Sequence, residues 1–188
     1  GSWVVLFSHP ADFTPVCTTE FIALSRMNET FESLNTKLIG LSIDSLHSHL
    51  GWIKSIEALN FNNEGKVKIP FPIIADISMN VAKKYGMLQT VANTQTVRAV
   101  FIIDPEGIIR TILYYPMSTG RNIPEIIRIL QSLQLNDKTH YSTPANWQPG
   151  DDVVMGAPLT IEEAQERLES SDNTIKPLDW YLTMKKMK

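Results

Sequence analysis

Five consecutive apolar residues, Trp3-Val4-Val5-Leu6-Phe7, run into the turn Ser8-His9-Pro10-Ala11-Asp12-Phe13-Thr14-Pro15-Val16-Cys17-Thr18-Thr19-Glu20. Phe21, Leu24, Met27, Phe31 and Leu34 then recur at helical spacing. The first pattern predicts a buried strand and the second a helix, from Cys17 to about Asn35. The turn between them carries the only cysteine of the chain. Cys17 therefore opens a helix, where unpaired backbone N–H groups and the positive end of the dipole favour an anion over a neutral thiol. Thr14, three residues earlier, can turn its hydroxyl toward the sulfur. Pro10 and Pro15 stiffen the approach and remove two backbone donors. Most lone cysteines are small buried hydrophobes. Here no apolar stripe includes the cysteine, and two prolines and three threonines surround it, so the pattern points to a reactive thiol.

Downstream, Leu38 to Asp44 predicts a strand ending in a carboxylate, and Ser45 to Asn60 a helix on Leu46, Leu50, Ile53 and Leu59. Asn62 to Lys68 is a polar loop. Phe71 to Asp76 is a short strand, and Ser78 is expected to cap a helix over Val81 to Tyr85 that Gly86 closes. Val97 to Asp104 and Ile108 to Tyr115 flank the turn Pro105-Glu106-Gly107 as an antiparallel pair. Asn122 and Glu125 have capping-box spacing, with Pro124 in the first turn, ahead of a helix to about Leu135. This order predicts an α/β chain of thioredoxin-like fold, a central mixed sheet flanked by helices, over residues 1–135. Residues 136–188 form a small extension. There Tyr141 to Asp152 is rich in turn formers, Val153 to Met155 predicts a strand, and Thr160 with Glu163 caps a helix to about Glu169. Pro177 to Leu182 carries large apolar groups too few for a core of their own. They are expected to pack on the main domain or on a second subunit, and the lysines of Met184 to Lys188 to form a solvated end.

The stretch around Cys17 closely resembles the active-site motif of peroxiredoxins, Pro-x-x-x-Thr/Ser-x-x-Cys, here Pro10, Thr14 and Cys17. The thirteen residues from Ser8 to Glu20 resemble the single-cysteine class of that AhpC/TSA superfamily. The resemblance implies a thiol-dependent peroxidase that reduces hydrogen peroxide and alkyl hydroperoxides through a cysteine sulfenic acid, without cofactor or metal. An external thiol, small or carried by a thioredoxin- or glutaredoxin-like protein, would recycle it. It also implies a homodimer, or a larger ring, joined through residues 136–188, and a further strand or hairpin ahead of residue 1. Thr14-x-x-Cys17 stands where thioredoxins carry two cysteines, so disulfide exchange within the motif is impossible.

Peroxide cleavage needs sulfur in line with the two oxygens and positive charge near the leaving one. Arg98 enters the apolar strand Val97 to Ile102, where burial demands a partner. It matches the family's catalytic arginine in Arg98-Ala99-Val100-Phe101-Ile102-Ile103-Asp104-Pro105. Glu20 would orient that arginine through a charged hydrogen bond. Arg121, in Thr119-Gly120-Arg121-Asn122, precedes a helix whose dipole opposes it and matches a second active-site arginine. His9 is expected near the pocket or the approach of the reductant. His47 and His49 are two apart at a helix start and make a poor metal pair.

The net charge of −3 gives no argument for nucleic acid or anionic membrane. No apolar run approaches the roughly 20 residues that span a bilayer. With no secretory signal and a single thiol to keep free, a reducing cytoplasm is the expected location. Two other activities have weaker support. Lipid hydrolysis would require a Gly-x-Ser-x-Gly elbow at Ser2, and Val4 replaces the last glycine. A role in holding unfolded clients would survive Cys17→Ser.

Overall fold

The computed structural model describes residues 1–88 and 95–187. Two compact units divide the chain, Gly1–Ile123 and Pro124–Lys188.

The first unit is built on β1 (Trp3–Ser8), α1 (Pro15–Arg26), α2 (Asn28–Ser33), β2 (Thr36–Ser42), α3 (Leu46–Ala58), β3 (Ile73–Ala75), α4 (Asn80–Lys84), β4 (Arg98–Ile103) and β5 (Ile109–Tyr115). Its five-stranded sheet has the order β3-β2-β1-β4-β5. β1 is parallel to β2 and antiparallel to β4, so the sheet is mixed. Alternation along β1 sends successive side chains to opposite faces. Leu6 joins Leu41, Ala82, Met87, Val97, Ala99 and Phe101 in one core cluster. Phe7 instead meets Phe21 and Phe71, each at 5.5 Å between ring centroids, and Phe21 stacks on Trp52 at 4.5 Å. Truncating a fully buried aromatic such as Phe21 costs about 3–5 kcal/mol.

The predicted elements are present with shifted edges. The single helix expected from Cys17 to Asn35 is two helices, because the chain turns at Met27, the C-cap of α1 and the N-cap of α2. The turn carries α2 onto β2 and buries Phe31, and one bent residue leaves the apolar spacing unbroken. Ser78 does not cap α4. Met79 takes the N-cap with a left-handed φ of 57°, and the Asp76 carboxylate accepts from Val81 N–H at 3.2 Å and Ala82 N–H at 2.7 Å. Gly86 follows α4 at φ 66°, the left-handed conformation a helix-ending glycine supplies.

The second unit holds most of α5 (Ile123–Thr139), then β6 (Val153–Val154), α6 (Ile161–Leu168), β7 (Ile175–Pro177) and β8 (Thr183–Lys185). α5 runs a turn past Leu135, where the apolar spacing stops, and His140 closes it at φ 60°. Thr160 caps α6 by accepting from Glu163 N–H at 3.1 Å, while Glu163 accepts from Leu159 N–H at 2.8 Å. The tail is not a free solvated end. Thr183–Lys185 is the central strand of a three-stranded sheet of order β6-β8-β7. Two to three residues per strand are too few to show a period of two, so β7 and β8 left no pattern in the sequence.

Candidate active site

β1 ends at Ser8, and the loop to α1 begins there. β4 runs antiparallel beside it with Phe7 opposite Val100, so Arg98 opens β4 just past the end of β1. The Ser8 hydroxyl locks this junction, donating to Val97 C=O at 2.6 Å and accepting from Ala99 N–H at 3.2 Å. This geometry brings Arg98 to the N-terminus of α1.

Pro15 is the first residue of α1 and Thr14 its N-cap. The first helical bond runs from Thr18 N–H to Thr14 C=O at 3.0 Å, so Cys17 lies in the turn whose N–H groups precede the ladder. The Cys17 side chain is fully buried. Arg98 Nη1 lies 3.4 Å from Cys17 Sγ and 2.6 Å from Glu20 Oε2. Its Nε and Nη2 both donate to the Met117 carbonyl, at 3.2 and 3.0 Å. The guanidinium is thus gripped on two edges, with one nitrogen against the sulfur.

Glu20 holds both arginines. Its Oε2 also accepts from Arg121 Nη2 at 2.6 Å, and its Oε1 from Arg121 Nε at 3.0 Å and Arg121 N–H at 2.9 Å. Arg121 Nη1 donates to the carbonyls of Ser8 at 3.0 Å and Ala99 at 3.2 Å, and the guanidinium lies over the Phe7 ring at 5.2 Å. The buried carboxylate explains a cation ahead of α5 better than the dipole can.

Thr14 does not cap α1 with its side chain. Its hydroxyl donates to Ala11 C=O at 2.8 Å, which leaves the oxygen lone pairs as acceptors. Pro10 is buried in the same loop. Trp52 Nε1 donates to Thr18 Oγ1 at 3.1 Å, and Thr18 Oγ1 to Thr14 C=O at 2.8 Å, tying α3 to the first turn of α1. Phe13 is strained at φ 55° and 61 % exposed.

His9 is wholly buried, 4.9 Å from Trp52 and 5.0 Å from Phe21 between ring centroids. Its Nε2 lies 2.8 Å from Asp12 Oδ1, and His49 Nδ1 lies 2.8 Å from Asp12 Oδ2. Burial pushes His9 below the usual histidine range despite its bond to Asp12. Burial also acts on His49 and is the largest single influence, but Asp12, the Ile74 main chain and Asp44 together outweigh it and hold that ring above the range. Burial opposes ionisation of Asp12, yet the two histidine bonds keep its carboxyl well below the usual range. Among the described residues these three have metal-ligating reach. Each carboxylate oxygen already takes a ring N–H, so they form a hydrogen-bonded triad. His49 is buried and His47 exposed, in keeping with their different sides of α3.

Sequence reasoning missed Asp12, His49 and Met117. Asp12 lies inside the motif, where a carboxylate two residues before Thr14 was the available signal. Met117 acts through its carbonyl, which no side-chain identity announces. Ser2 donates to Asn35 Oδ1 at 3.2 Å, at the opposite end of β1 from Cys17.

Fold and site together define a thioredoxin-like thiol peroxidase: a cysteine at a helix N-terminus, faced by an arginine. The AhpC/TSA family model matches residues 1–112, and the C-terminal domain of 1-Cys peroxiredoxin matches residues 132–171. A peroxiredoxin of Methanosarcina mazei is 56% identical over 188 residues, covering 99% of this chain and 86% of that protein. The yeast mitochondrial 1-Cys peroxiredoxin, solved in work on thiol resolution by glutathione and thioredoxin systems, superposes with a TM-score of 0.84 at 41% identity, covering 99% of this chain and 87% of that one. A cysteine-to-serine mutant of the peroxiredoxin 6 of Arenicola marina gives 0.82 at 35% identity, covering 100% and 87%. The chain belongs to the AhpC/TSA family and is a single-cysteine peroxiredoxin, a thiol-dependent peroxidase. No described helix is long and apolar enough to cross a membrane.

Proposed function

We propose that Cys17 attacks peroxide as the thiolate, with Arg98, Thr14 and Pro10 forming the reacting site and Glu20, Arg121 and His9 supporting it. The observation that carries this reading is Arg98 Nη1, 3.4 Å from Sγ and fixed by Glu20 and Met117. A guanidinium so held can donate to a peroxide oxygen without reorganising. Thr14 Oγ1, its proton committed to Ala11, accepts from the peroxide O–H. Buried Pro10 shields the pocket.

The thiolate attacks the terminal oxygen, which keeps its hydrogen; the O–O bond breaks, and the other oxygen leaves as hydroxide or alkoxide and takes from water the proton that the thiol released on ionising. Cys17 becomes a sulfenic acid. These 188 residues hold no second cysteine to condense with it. An external thiol displaces water from the sulfenic acid to give a mixed disulfide, and a second thiol releases Cys17. The reductant is a small thiol or a thioredoxin- or glutaredoxin-like protein, and the cytoplasm is the compartment that supplies it.

The dimer is proposed on the extension, residues 136–188, with residues 1–135 as the peroxidase domain. Leu159, Ile161, Leu168 and Trp180 are each at least half exposed and line an apolar cavity of about 460 Å³. Contiguous apolar surface of this kind marks a protein contact.

Stopped-flow peroxide consumption, with intact-mass analysis of each subunit, tests the chemistry. Cys17→Ser should consume no peroxide. Persistent turnover in that variant refutes the assignment.

A further inference from the structure

His9 supports the reacting site, but the steps above give no task to its buried partners Asp12 and His49. A carboxylate oxygen only accepts, so the nitrogens facing Asp12 at 2.8 Å, His9 Nε2 and His49 Nδ1, both carry hydrogen. The other two nitrogens, His9 Nδ1 and His49 Nε2, are buried and make no well-formed hydrogen bond, although the Ile74 main chain lies close to the His49 ring. A proton on either makes an imidazolium, and Asp12 can answer one such charge.

The surroundings choose between the rings. His49, on α3, is faced by Asp12, by Asp44 at the end of β2 and by the Ile74 main chain of β3, all of which favour charge. Ser48, beside it on α3, donates toward Asp12. His9 is faced by Asp12 and by two positive groups, Arg121 and His49 itself. The rings of Phe21 and Trp52 cover the rest of it. The additional proton belongs on His49.

We propose that His49 is a positioning residue of the peroxidase site, acting through Asp12: its charge answers the Asp12 carboxylate and so keeps His9 neutral, protonated on Nε2 alone. Arg98 and Arg121 then remain the two cations of the site, and His9 presents a bare Nδ1. The same node holds the catalytic loop in place, because Asp12 N–H donates to Asp44 Oδ2 at 3.0 Å, fixing the segment between Pro10 and Thr14 to β2. Burial of His9 and the charges around His49 push the two rings in opposite directions, in agreement with this assignment. The kinetic consequence rests on the Cys17 and Arg98 reading, whereas the proton positions do not.

Nitrogen-15 NMR of the imidazoles in the reduced wild-type chain tests the proton positions directly, with the His47→Gln and His140→Gln variants assigning the surface rings. At the ordinary histidine midpoint of 6.5, His9 should carry hydrogen mainly on Nε2 and His49 mainly on both nitrogens. His49→Gln retains an amide donor toward Asp12 and removes the charge. In that variant His9 should take its second proton at a higher pH than in the wild type. The pH profile of the peroxide rate constant should gain an inflection at the same midpoint. A purely structural role for His49 would leave the His9 titration unmoved. A His49 that loses its second proton at a lower pH than His9 in the wild type, or an unshifted His9 in folded His49→Gln, overturns the proposal. If the variant does not fold, the wild-type spectrum decides. A wild-type peroxide rate in Arg98→Lys would sink the reading of the reacting site and leave the imidazole spectrum as it is.

Discussion

Arg98→Lys retains the positive charge and removes the shape. Arg98 uses Nη1 for Cys17 and Glu20 and a second edge, Nε and Nη2, for the Met117 carbonyl. A lysine has one nitrogen, a compact point of charge. Placed where Nη1 stands, it serves the sulfur and the carboxylate and abandons the carbonyl. Drawn between carboxylate and carbonyl, it leaves the sulfur. Losing one preorganised donor in a closed site costs about 2.7–4 kcal/mol, or roughly 10²–10³ in rate. The orphaned carbonyl costs a further ~1–3 kcal/mol of stability where it is buried. For a chain of this length each kcal/mol lowers the melting temperature by about 2–4 °C. Stopped-flow measurement of the second-order rate constant for hydrogen peroxide, beside a thermal melt, separates the two losses. A rate constant equal to wild type, with or without a lower melting point, would refute the reasoning and make Arg98 a structural residue.

Glu20→Gln leaves two guanidinium groups with one neutral acceptor, and removing one partner of a buried pair costs about 3–5 kcal/mol. A thermal melt should show a fall of roughly 6–20 °C, and an unchanged melting point would contradict the geometry of the node. Without added thiol, one equivalent of peroxide per subunit should be consumed in a rapid phase, after which turnover stops and only slow over-oxidation of Cys17 uses more. Excess peroxide should add two or three oxygens to the subunit mass, as sulfinic or sulfonic acid; sustained turnover would count against a single-cysteine cycle. Thr14→Ser should react nearly as wild type and Thr14→Val should raise the peroxide KM, with equal rates in both showing that the hydroxyl does not meet the substrate. His49 titrates above its ordinary value of 6.5 in the folded state, so its stabilisation is full below that pH and lost as pH rises through the folded midpoint. Melts across that range should therefore show an alkaline decline that is smaller in His49→Gln, and identical declines would refute the link.

The strand-turn-helix around Cys17 was legible because one continuous segment carries both the fold signal and the chemistry. Arg98 was legible for a different reason: an arginine inside an apolar strand is anomalous until a partner is found, and Glu20 had the right charge and place. Helix edges were less legible. Nothing in the spacing of Phe21 to Leu34 marks Met27 as a turn, since a bend of one residue does not disturb the period. Asp76 outcompeted Ser78 at the start of α4 because a carboxylate can accept two N–H groups at once. His49 was visible as a residue but not as a partner. Its pairing with Asp12 spans 37 positions, and local spacing on α3 does not report what the loop brings against it.

The charges around Cys17 give a reason for the reactive thiol that neither the motif nor the helix dipole supplies alone. Among the described residues Glu20 is the one carboxylate bonded to the two guanidinium groups, and all three side chains are at most 3 % exposed. With a neutral thiol, one buried positive charge has no partner, an arrangement that is costly away from water. On the proposed reading, the thiolate that attacks peroxide, 3.4 Å from Arg98, completes the pairing. In the proposed attack the leaving oxygen inherits that negative charge as the O–O bond breaks, so a group that stabilises the nucleophile before attack is placed to stabilise the leaving group during it. Two arginines on one glutamate therefore suit the reaction better than a balanced pair would. The balanced pair would satisfy the fold and leave the anion, in the ground state and in the transition state, without a charge to answer it.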